Sequence, residues 1–142
     1  MTEYEGFKLL PEKECESTDN QAPKNNELEN KPRTSLNPDD LINEFLTPAY
    51  EEGIKKYFRE SWRLGFKTSV MADALKRHFT KFFYKGEDFD QEALEKFDIK
   101  KHHLAAIIFC ALCMLDTFKN HPELDDRPCK LKHLQDYFRK EK

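Results

Sequence analysis

Four carboxylates lie within six residues near the middle of the chain, at Glu87, Asp88, Asp90 and Glu92. Carboxylate oxygens are the ligands that a hard divalent cation such as Mg²⁺ prefers, and Mg²⁺ usually keeps several of its waters. Carboxylates this close repel one another unless they are solvated or neutralised, so the cluster predicts a metal site with one carboxylate left as a base for water. The same spacing is also typical of a solvated acidic loop that caps the following helix.

Basic and imidazole side chains flank this acidic segment in the sequence. Arg77 and His78 precede it, and His102 and His103 follow it. A guanidinium such as that of Arg77 can donate two parallel hydrogen bonds to phosphate oxygens. His78 falls on the apolar face of its predicted helix, where either a hydrogen-bonded core histidine or a site residue would fit. Of His102 and His103, one is expected to be exposed.

Other motifs that carry chemistry are absent from the sequence. None of the five histidines is followed by aspartate, which excludes a His-Asp phosphohydrolase signature, and the acidic segment lacks the D-x-D-x-D-G pattern of a calcium loop. There is no P-loop, no dinucleotide-binding glycine motif and no G-x-S-x-G. Cys110 and Cys113 have a zinc-like spacing, but they lie in an apolar run without a second pair, which favours core packing.

The composition indicates one globular domain with a polar tail. The chain is polar at 36% charged residues, but its 12 Phe, 5 Tyr and 1 Trp require a core. The net charge of −3 comes from residues 1–36, so no basic field predicts a nucleic-acid partner. We find no signal peptide, and the apolar run at residues 104–115 is shorter than the roughly 20 residues that span a bilayer. We therefore expect a cytoplasmic protein with reduced thiols and no membrane partner.

The elements that must position these residues begin near Asn37. Residues 1–36 are rich in Glu, Asn, Lys and Pro and have few large apolar side chains, which predicts a disordered acidic tail. Residues 37–142 form the predicted helical domain. Its first helix signal is Asn37 as an N-cap, followed by Pro38 at the first helical position.

Apolar residues at helical spacing predict four further helices. Their approximate bounds are residues 47–65, 68–85, 101–118 and 130–140. In the helix at 68–85, Phe79 and Phe83 widen the apolar face that contains His78. No segment alternates with period two, so the sequence predicts an all-α protein, a compact bundle of four to five helices.

Three ordered motifs cover about 65 residues of the chain and carry a family resemblance. The pattern G-x-x-K-Y-x4-W-x2-G runs from Gly53 to Gly65, A-L-x-R-H occupies residues 74–78, and G-E-D-x-D-x-E occupies residues 86–92. A helix that opens with His103-Leu-Ala follows. In these motifs the chain resembles the phage and bacterial dATP/dGTP diphosphohydrolase N-terminal-like family, helical proteins akin to MazG-type pyrophosphohydrolases.

The resemblance implies a MazG-like fold and metal-dependent hydrolysis of a deoxynucleoside triphosphate, dATP or dGTP, to the monophosphate and pyrophosphate. The implied cofactor is Mg²⁺ or Mn²⁺. Carried onto this sequence, the metal ligands and catalytic groups would be Glu87, Asp90 and Glu92, and Asp88 would be exposed. MazG-type bundles build sites between subunits, which implies a homo-oligomer.

The resemblance also implies a set of substrate-binding residues, namely Lys56, Trp62, Arg77, His78 and His103. Lys56, Arg77 and His78 would meet phosphate charge or orient ligands. Trp62 and Tyr57 would stack on the base, although aromatic residues at helical spacing also commonly form a core. His103 would complete the site from the facing helix.

Two positions depart from the family pattern. Ser61 stands where the family usually has asparagine, and Ala106 stands where it usually has a second histidine. These departures keep open a second hypothesis, in which the chain is a non-catalytic helical interaction module or a degenerate relative of the enzymes. Binding of a divalent ion at the acidic segment would discriminate between the two.

Overall fold

A computed structural model describes residues 31–139, and the chain divides into two units, Met1–Asn37 and Pro38–Lys142. The first unit is described only from residue 31 onward and contains a 3₁₀ turn at Thr34–Leu36. The predicted disordered tail, residues 1–36, therefore lies largely outside the described part of the chain. The described residues form helices and no strand, which confirms the all-α prediction.

The second unit opens with a continuous helical segment that contains more than one kind of turn. An α-helical turn at Asp39–Leu41 leads into a π-helical stretch at Ile42–Leu46 and then into helix α1, Thr47–Lys56. Pro38 rather than Asn37 occupies the N-cap position, so the predicted cap lies one residue too early. Pro48 lies in the first turn of α1, where the π-helical stretch changes to α-helix, and it has no backbone N–H to donate to the preceding turn.

Helix α1 ends at Lys56, and the prediction that it continues to Gly65 is wrong. The backbone leaves helical geometry at Tyr57, and Glu60 adopts a left-handed conformation with φ of 60°. A 3₁₀ turn at Ser61–Leu64 follows and carries Trp62. Tyr57 is 72% exposed, so it does not belong to a buried helical face.

Gly65 is required by both backbone conformation and space. Its φ of 88° is a conformation that residues with a Cβ rarely adopt. A Cβ at this position would also lie 2.8 Å from side-chain atoms of His121 and Leu124. The imidazole Nε2 of His121 lies 2.8 Å from the carbonyl oxygen of Arg63, so the turn closes onto the residues that follow the last long helix.

Helix α2 spans Thr68–Phe83 and confirms the prediction within two residues at its C-terminal end. Asp126 stabilises its first turn, because its carboxylate accepts hydrogen bonds from the backbone N–H of Ser69 at 2.8 Å and from the Ser69 hydroxyl at 2.5 Å. Phe79 and Phe83 do not widen the buried face as predicted. They are exposed, and their rings stack on each other with centroids 5.4 Å apart.

Two helices follow the acidic segment, and the sequence predicted only the second of them. Helix α3 spans Gln91–Phe97, and the Asp90 side chain caps it by accepting from the backbone N–H of Glu92 at 3.1 Å. Helix α4 spans His103–Asn120, close to the predicted 101–118. His102 caps α4, since its Nδ1 accepts from the backbone N–H of Leu104 at 3.0 Å.

Helices α2 and α4 pack antiparallel and form the centre of the unit. The C-terminal part of α2 contacts the N-terminal part of α4, where His78 lies beside His103. The N-terminal part of α2 contacts residues further along α4, where Met71 packs with Cys110 and Cys113. By length and composition alone, the 18 residues of α4 could cross a membrane. The core helix of a globular domain passes the same test, and α4 carries four of the nine buried hydrophobic residues of the described chain.

Short turns replace most of the helix predicted at residues 130–140. Three 3₁₀ turns occur at Pro122–Leu124, Pro128–Lys130 and Lys132–Leu134, and helix α5 covers only Gln135–Arg139 within the described chain. Leu131 has extended backbone, with ψ of 122°, which interrupts the helical run that the apolar spacing suggested.

Candidate functional site

Two histidines meet at the end of the α2–α4 interface. The Nδ1 atoms of His78 and His103 lie 2.9 Å apart, and the ring centroids are separated by 5.2 Å. His103, in the first turn of α4, is completely buried, and His78 is partly buried. His78 therefore lies on the inward side of its helix, as the sequence predicted. Its imidazole contacts another imidazole there rather than aliphatic side chains.

The acidic segment is fixed against the start of α4 by backbone hydrogen bonds. The N–H of Asp90 donates to the carbonyl of Lys101 at 2.8 Å, and the N–H of His103 donates to the carbonyl of Asp88 at 2.9 Å. An isolated antiparallel bridge joins Phe89 to His102. These bonds turn the Asp90 side chain inward, where it is 6% exposed.

Asp90 completes a group of three potential metal ligands. One ligand atom each from His78, Asp90 and His103 lies within 4.8 Å of the others. Among residues 31–139, no other group of three or more His, Cys, Asp or Glu side chains gathers this closely. The three residues come from α2, from the loop before α3 and from α4, so only the folded chain brings them together.

A chain of ion pairs leads away from this group through buried side chains. Lys101 Nζ lies 3.1 Å from Asp90 Oδ2 and 2.5 Å from Glu52 Oε2, and Glu52 also pairs with Lys56. Glu52 and Lys101 are 4% and 8% exposed. Buried charges are tolerated when they are paired, so Lys101 compensates two carboxylates at once.

Burial keeps both imidazoles neutral at neutral pH. It lowers the pKa of His78 from 6.5 to about 4, and the positive charge of Lys101 contributes further. Burial also lowers the pKa of His103. Since the rings are neutral, one Nδ1 can donate its proton to the lone pair of the other, which accounts for the 2.9 Å contact.

Asp90 is held as a carboxylate in spite of its burial. Burial pushes its pKa upward, but the charge and hydrogen bond of Lys101 outweigh that effect, and the pKa falls below the usual 3.8. The buried group therefore presents one fixed negative charge beside two neutral imidazoles.

The other acidic residues of the segment are more exposed than Asp90. The Glu92 side chain is 57% exposed and pairs with Lys96 at 2.7 Å, a contact that also lowers its pKa. Glu87 is partly exposed, and its Oε2 lies 3.6 Å from His103 Nε2. Asp88 is exposed, as predicted. The structure thus brings Asp90 together with two histidines. It does not bring Asp90 together with Glu87 and Glu92, the two other carboxylates that the sequence predicted as metal ligands.

A cleft of about 770 Å³ adjoins the polar group. Its lining includes Tyr50, Glu52, Lys56, Trp62, Arg77 and His78. Four of the five predicted substrate-binding residues therefore line one cleft. The fifth, His103, does not line it but contacts His78, which does.

Trp62 forms part of an aromatic wall and also belongs to the core. Its ring lies edge-on to Tyr50 with centroids 5.8 Å apart, and it packs against the cluster of Met71, Cys110 and Cys113. The Arg63 guanidinium lies 4.4 Å from the centroid of the Trp62 ring. Both interpretations of this residue, as a core aromatic and as a cleft residue, thus fit its position.

Sequence reasoning missed Glu52 and Lys101. One signal for Glu52 was present, because Glu52 and Lys56 are spaced i, i+4 on a helix and lie on the same side of it. Lys101 gave no signal, since a lysine before a helix is expected to be solvated.

Fold and site together define an all-α protein with a cleft that ends at a buried group of two histidines and an aspartate. The profile of the family "dATP/dGTP diphosphohydrolase, N-terminal" matches residues 21–127. The chain belongs to this family, and the match contains every residue of the polar group and of the cleft. No curated protein and no solved structure is significantly similar to the chain.

Proposed function

We propose that the protein hydrolyses a deoxynucleoside triphosphate, dATP or dGTP, to the monophosphate and pyrophosphate. The observation that carries this proposal is the cleft, which combines cationic side chains, an aromatic wall and an adjacent buried carboxylate. Its volume lies within the range of small-molecule sites, roughly 300–1,000 Å³. The family name supports the same reaction type.

The charges of the cleft suit a polyphosphate. Lys56 and Arg77 line it, and Lys56 stays partly exposed although it pairs with Glu52. A guanidinium can hold two phosphate oxygens at once, and an ammonium serves as a compact point charge. The base of the nucleotide would lie toward Tyr50 and Trp62, where aromatic side chains offer a stacking surface.

The proposed reaction adds water across one phosphoanhydride bond. The water oxygen bonds to the α-phosphorus, the bond from that phosphorus to the bridging oxygen breaks, and pyrophosphate leaves with the bridging oxygen. A carboxylate would take the proton from water. Of the predicted catalytic residues Glu87, Asp90 and Glu92, Asp90 is buried beside His78, which lines the cleft, whereas Glu92 is exposed and pairs with Lys96.

Mg²⁺ or Mn²⁺ remains the proposed cofactor of the reaction, where it would neutralise phosphate charge and activate water. The gathered side chains fit Mg²⁺ poorly, because two of the three are imidazoles and Mg²⁺ prefers oxygen ligands in octahedral geometry. We therefore assign the Mg²⁺ of the proposed reaction to the phosphates of the nucleotide. A nucleotide substrate also suits the cytoplasmic location that the sequence predicts.

Pyrophosphate release from each of the four deoxynucleoside triphosphates tests the proposal. The assay would compare Mg²⁺, Mn²⁺ and EDTA for the wild type, Arg77→Ala and Lys76→Ala. Lys76 is the matched control, because it is the exposed neighbour of Arg77 on α2 and does not line the cleft. We expect metal-dependent release that Arg77→Ala reduces by about tenfold or more, with Lys76→Ala unchanged. Absence of release from folded protein with every nucleotide and both metals would refute the enzyme.

An exposed apolar stripe on α4 supports the proposed homo-oligomer and also favours the second candidate function, a helical interaction module. The stripe consists of Leu104, Ile108, Leu115 and Phe118, which are 41–73% exposed, with Ala111 between them. Spacings of four and three residues are those of a helix seam that pairs with another helix.

Sedimentation velocity tests self-association through this stripe. We expect Ile108→Glu to dissociate the oligomer. The control is Leu94→Glu, which changes an exposed leucine on α3 and should leave the oligomer intact. A monomeric wild type would contradict self-association.

A further inference from the structure

The group of His78, Asp90 and His103 has the composition of a transition-metal site. It offers two imidazole nitrogens and one carboxylate oxygen, with one ligand atom from each residue inside a 4.8 Å circle. Imidazole and carboxylate ligands together suit Zn²⁺, Mn²⁺, Fe²⁺ and Co²⁺, whereas Mg²⁺ and Ca²⁺ prefer oxygen alone. The donor set therefore points to a different cation from the one that the acidic segment suggested.

The spacing of the two imidazoles is close to the spacing that a shared metal needs. Two nitrogens bound tetrahedrally to one Zn²⁺, each at about 2.0–2.1 Å, lie about 3.3 Å apart. The Nδ1 atoms of His78 and His103 lie 2.9 Å apart, so a movement of a few tenths of an ångström would admit an ion between them.

The second ring nitrogen of His103 lies near a carboxylate that could orient the ring. His103 is completely buried, yet its Nε2 has no hydrogen-bond partner. The nearest acidic group is Glu87, whose Oε2 lies 3.6 Å away, just beyond hydrogen-bond distance. A metal-bound histidine typically donates its other N–H to a carboxylate. A metal on Nδ1 would make Nε2–H a stronger donor and draw Glu87 into that position.

The Asp90 carboxylate is not fully committed to its ion pair. Glu52, Asp90 and Glu87 supply three negative charges around the group, and Lys56, Lys81 and Lys101 supply three positive charges. Lys101 lies closer to Glu52 than to Asp90, at 2.5 Å against 3.1 Å, so the ammonium is shared between the two carboxylates.

We propose that His78, Asp90 and His103 bind a divalent first-row transition-metal ion, with Glu87 orienting His103 from outside the coordination sphere. His78 lines the cleft, so the ion would lie next to the space in which a phosphate oxygen or a water could complete the coordination of a three-ligand site. The ion binds in the absence of nucleotide, which separates this site from the Mg²⁺ that accompanies the proposed substrate.

Titration of chelator-treated full-length protein with Zn²⁺, followed by calorimetry, tests the site directly. The variants are His78→Gln and Asp90→Asn, and the control is His133→Gln, which removes an exposed histidine outside the group. We expect one Zn²⁺ per chain, affinity reduced about 100-fold or more in the two site variants, and no change in the control. Circular dichroism would establish that each variant is folded.

Co²⁺ provides a second measurement that does not depend on the variants. Its visible absorption and X-ray absorption spectra should report about two imidazoles and at least one carboxylate in four- or five-coordinate geometry. Absence of binding in the wild type, equal binding in folded His78→Gln and Asp90→Asn, or a Co²⁺ spectrum without imidazole ligation would each overturn the proposal. Zn²⁺ binding without pyrophosphate release would refute only the proposed reaction, and Mg²⁺-dependent release without Zn²⁺ binding would refute only this site.

Discussion

The two ends of the α2–α4 interface are built from opposite chemistry. At one end, His78 and His103 meet each other and the carboxylate of Asp90. At the other end, Met71 packs against Cys110 and Cys113, which are free thiols buried in an apolar cluster. The same pair of helices thus buries ionisable groups at one end and small hydrophobic groups at the other.

The difference supports a role beyond stability for the polar end. Burial raises the pKa of Cys113 to about 12, so this thiol stays protonated and inert, as core packing requires. At the polar end, buried charge has to be compensated by Lys101, and replacement of such networks by apolar residues is often neutral or stabilising. A domain that needed only stability could have continued the apolar packing, so the polar end is where we place function.

Removal of the central charge of the polar end should have the largest effect on stability. Lys101→Met leaves Glu52 and Asp90 buried without their shared partner, and we expect a loss of about 3–5 kcal/mol in the free energy of unfolding. The control is Lys100→Met at the exposed neighbour, which should change stability by less than about 1 kcal/mol. Urea denaturation measures both. Equal free energies of unfolding for the wild type and Lys101→Met would show that Lys101 does not stabilise the two buried carboxylates.

Truncation at the apolar end should reduce stability without affecting the polar end. Met71→Ala opens a cavity against Cys110 and Cys113 and should cost about 2–4 kcal/mol. Val70→Ala, at a half-exposed position on the same helix, should cost about 0.5 kcal/mol or less. Zn²⁺ affinity of the folded Met71→Ala protein should equal that of the wild type. A large loss of affinity would mean that the two ends are coupled.

The smallest of the three effects is a pH dependence that belongs to the polar end alone. In metal-free protein the pKa of His78 is about 4 when folded and about 6.5 when unfolded, so the unfolded chain binds more protons between these values. Stability from this group is present above pH 6.5 and is lost as the pH falls toward 4. Urea denaturation in EDTA should show a loss on the order of 1–2 kcal/mol across this range.

His78→Gln isolates that contribution, because glutamine does not titrate. The variant should lose less stability than the wild type between pH 6.5 and 4, while Met71→Ala should keep the full pH dependence. Identical pH profiles for the wild type and His78→Gln would contradict the neutral state that we assign to the buried imidazole.

Local patterns in the sequence determined the helical class and predicted most of the side chains that line the cleft. The bounds of α2 and α4 followed from apolar spacing. The motif residues Lys56, Trp62, Arg77 and His78, which the family resemblance assigned to substrate binding, line one cleft. These features could be read locally because helix periodicity and motif spacing are properties of short segments.

Tertiary structure alone decided which of these side chains meet. Helix α1 ends at Lys56, and Trp62 beyond it packs against the cluster that contains Met71, a contact that local spacing does not encode. The grouping of Asp90 with two histidines, rather than with Glu87 and Glu92, depends on backbone bonds that pin the acidic segment to the start of α4. The burial of Lys101 between Glu52 and Asp90 has the same origin. Side chains from separate elements meet only after the helices pack, so their distances and charges are set by the assembled fold.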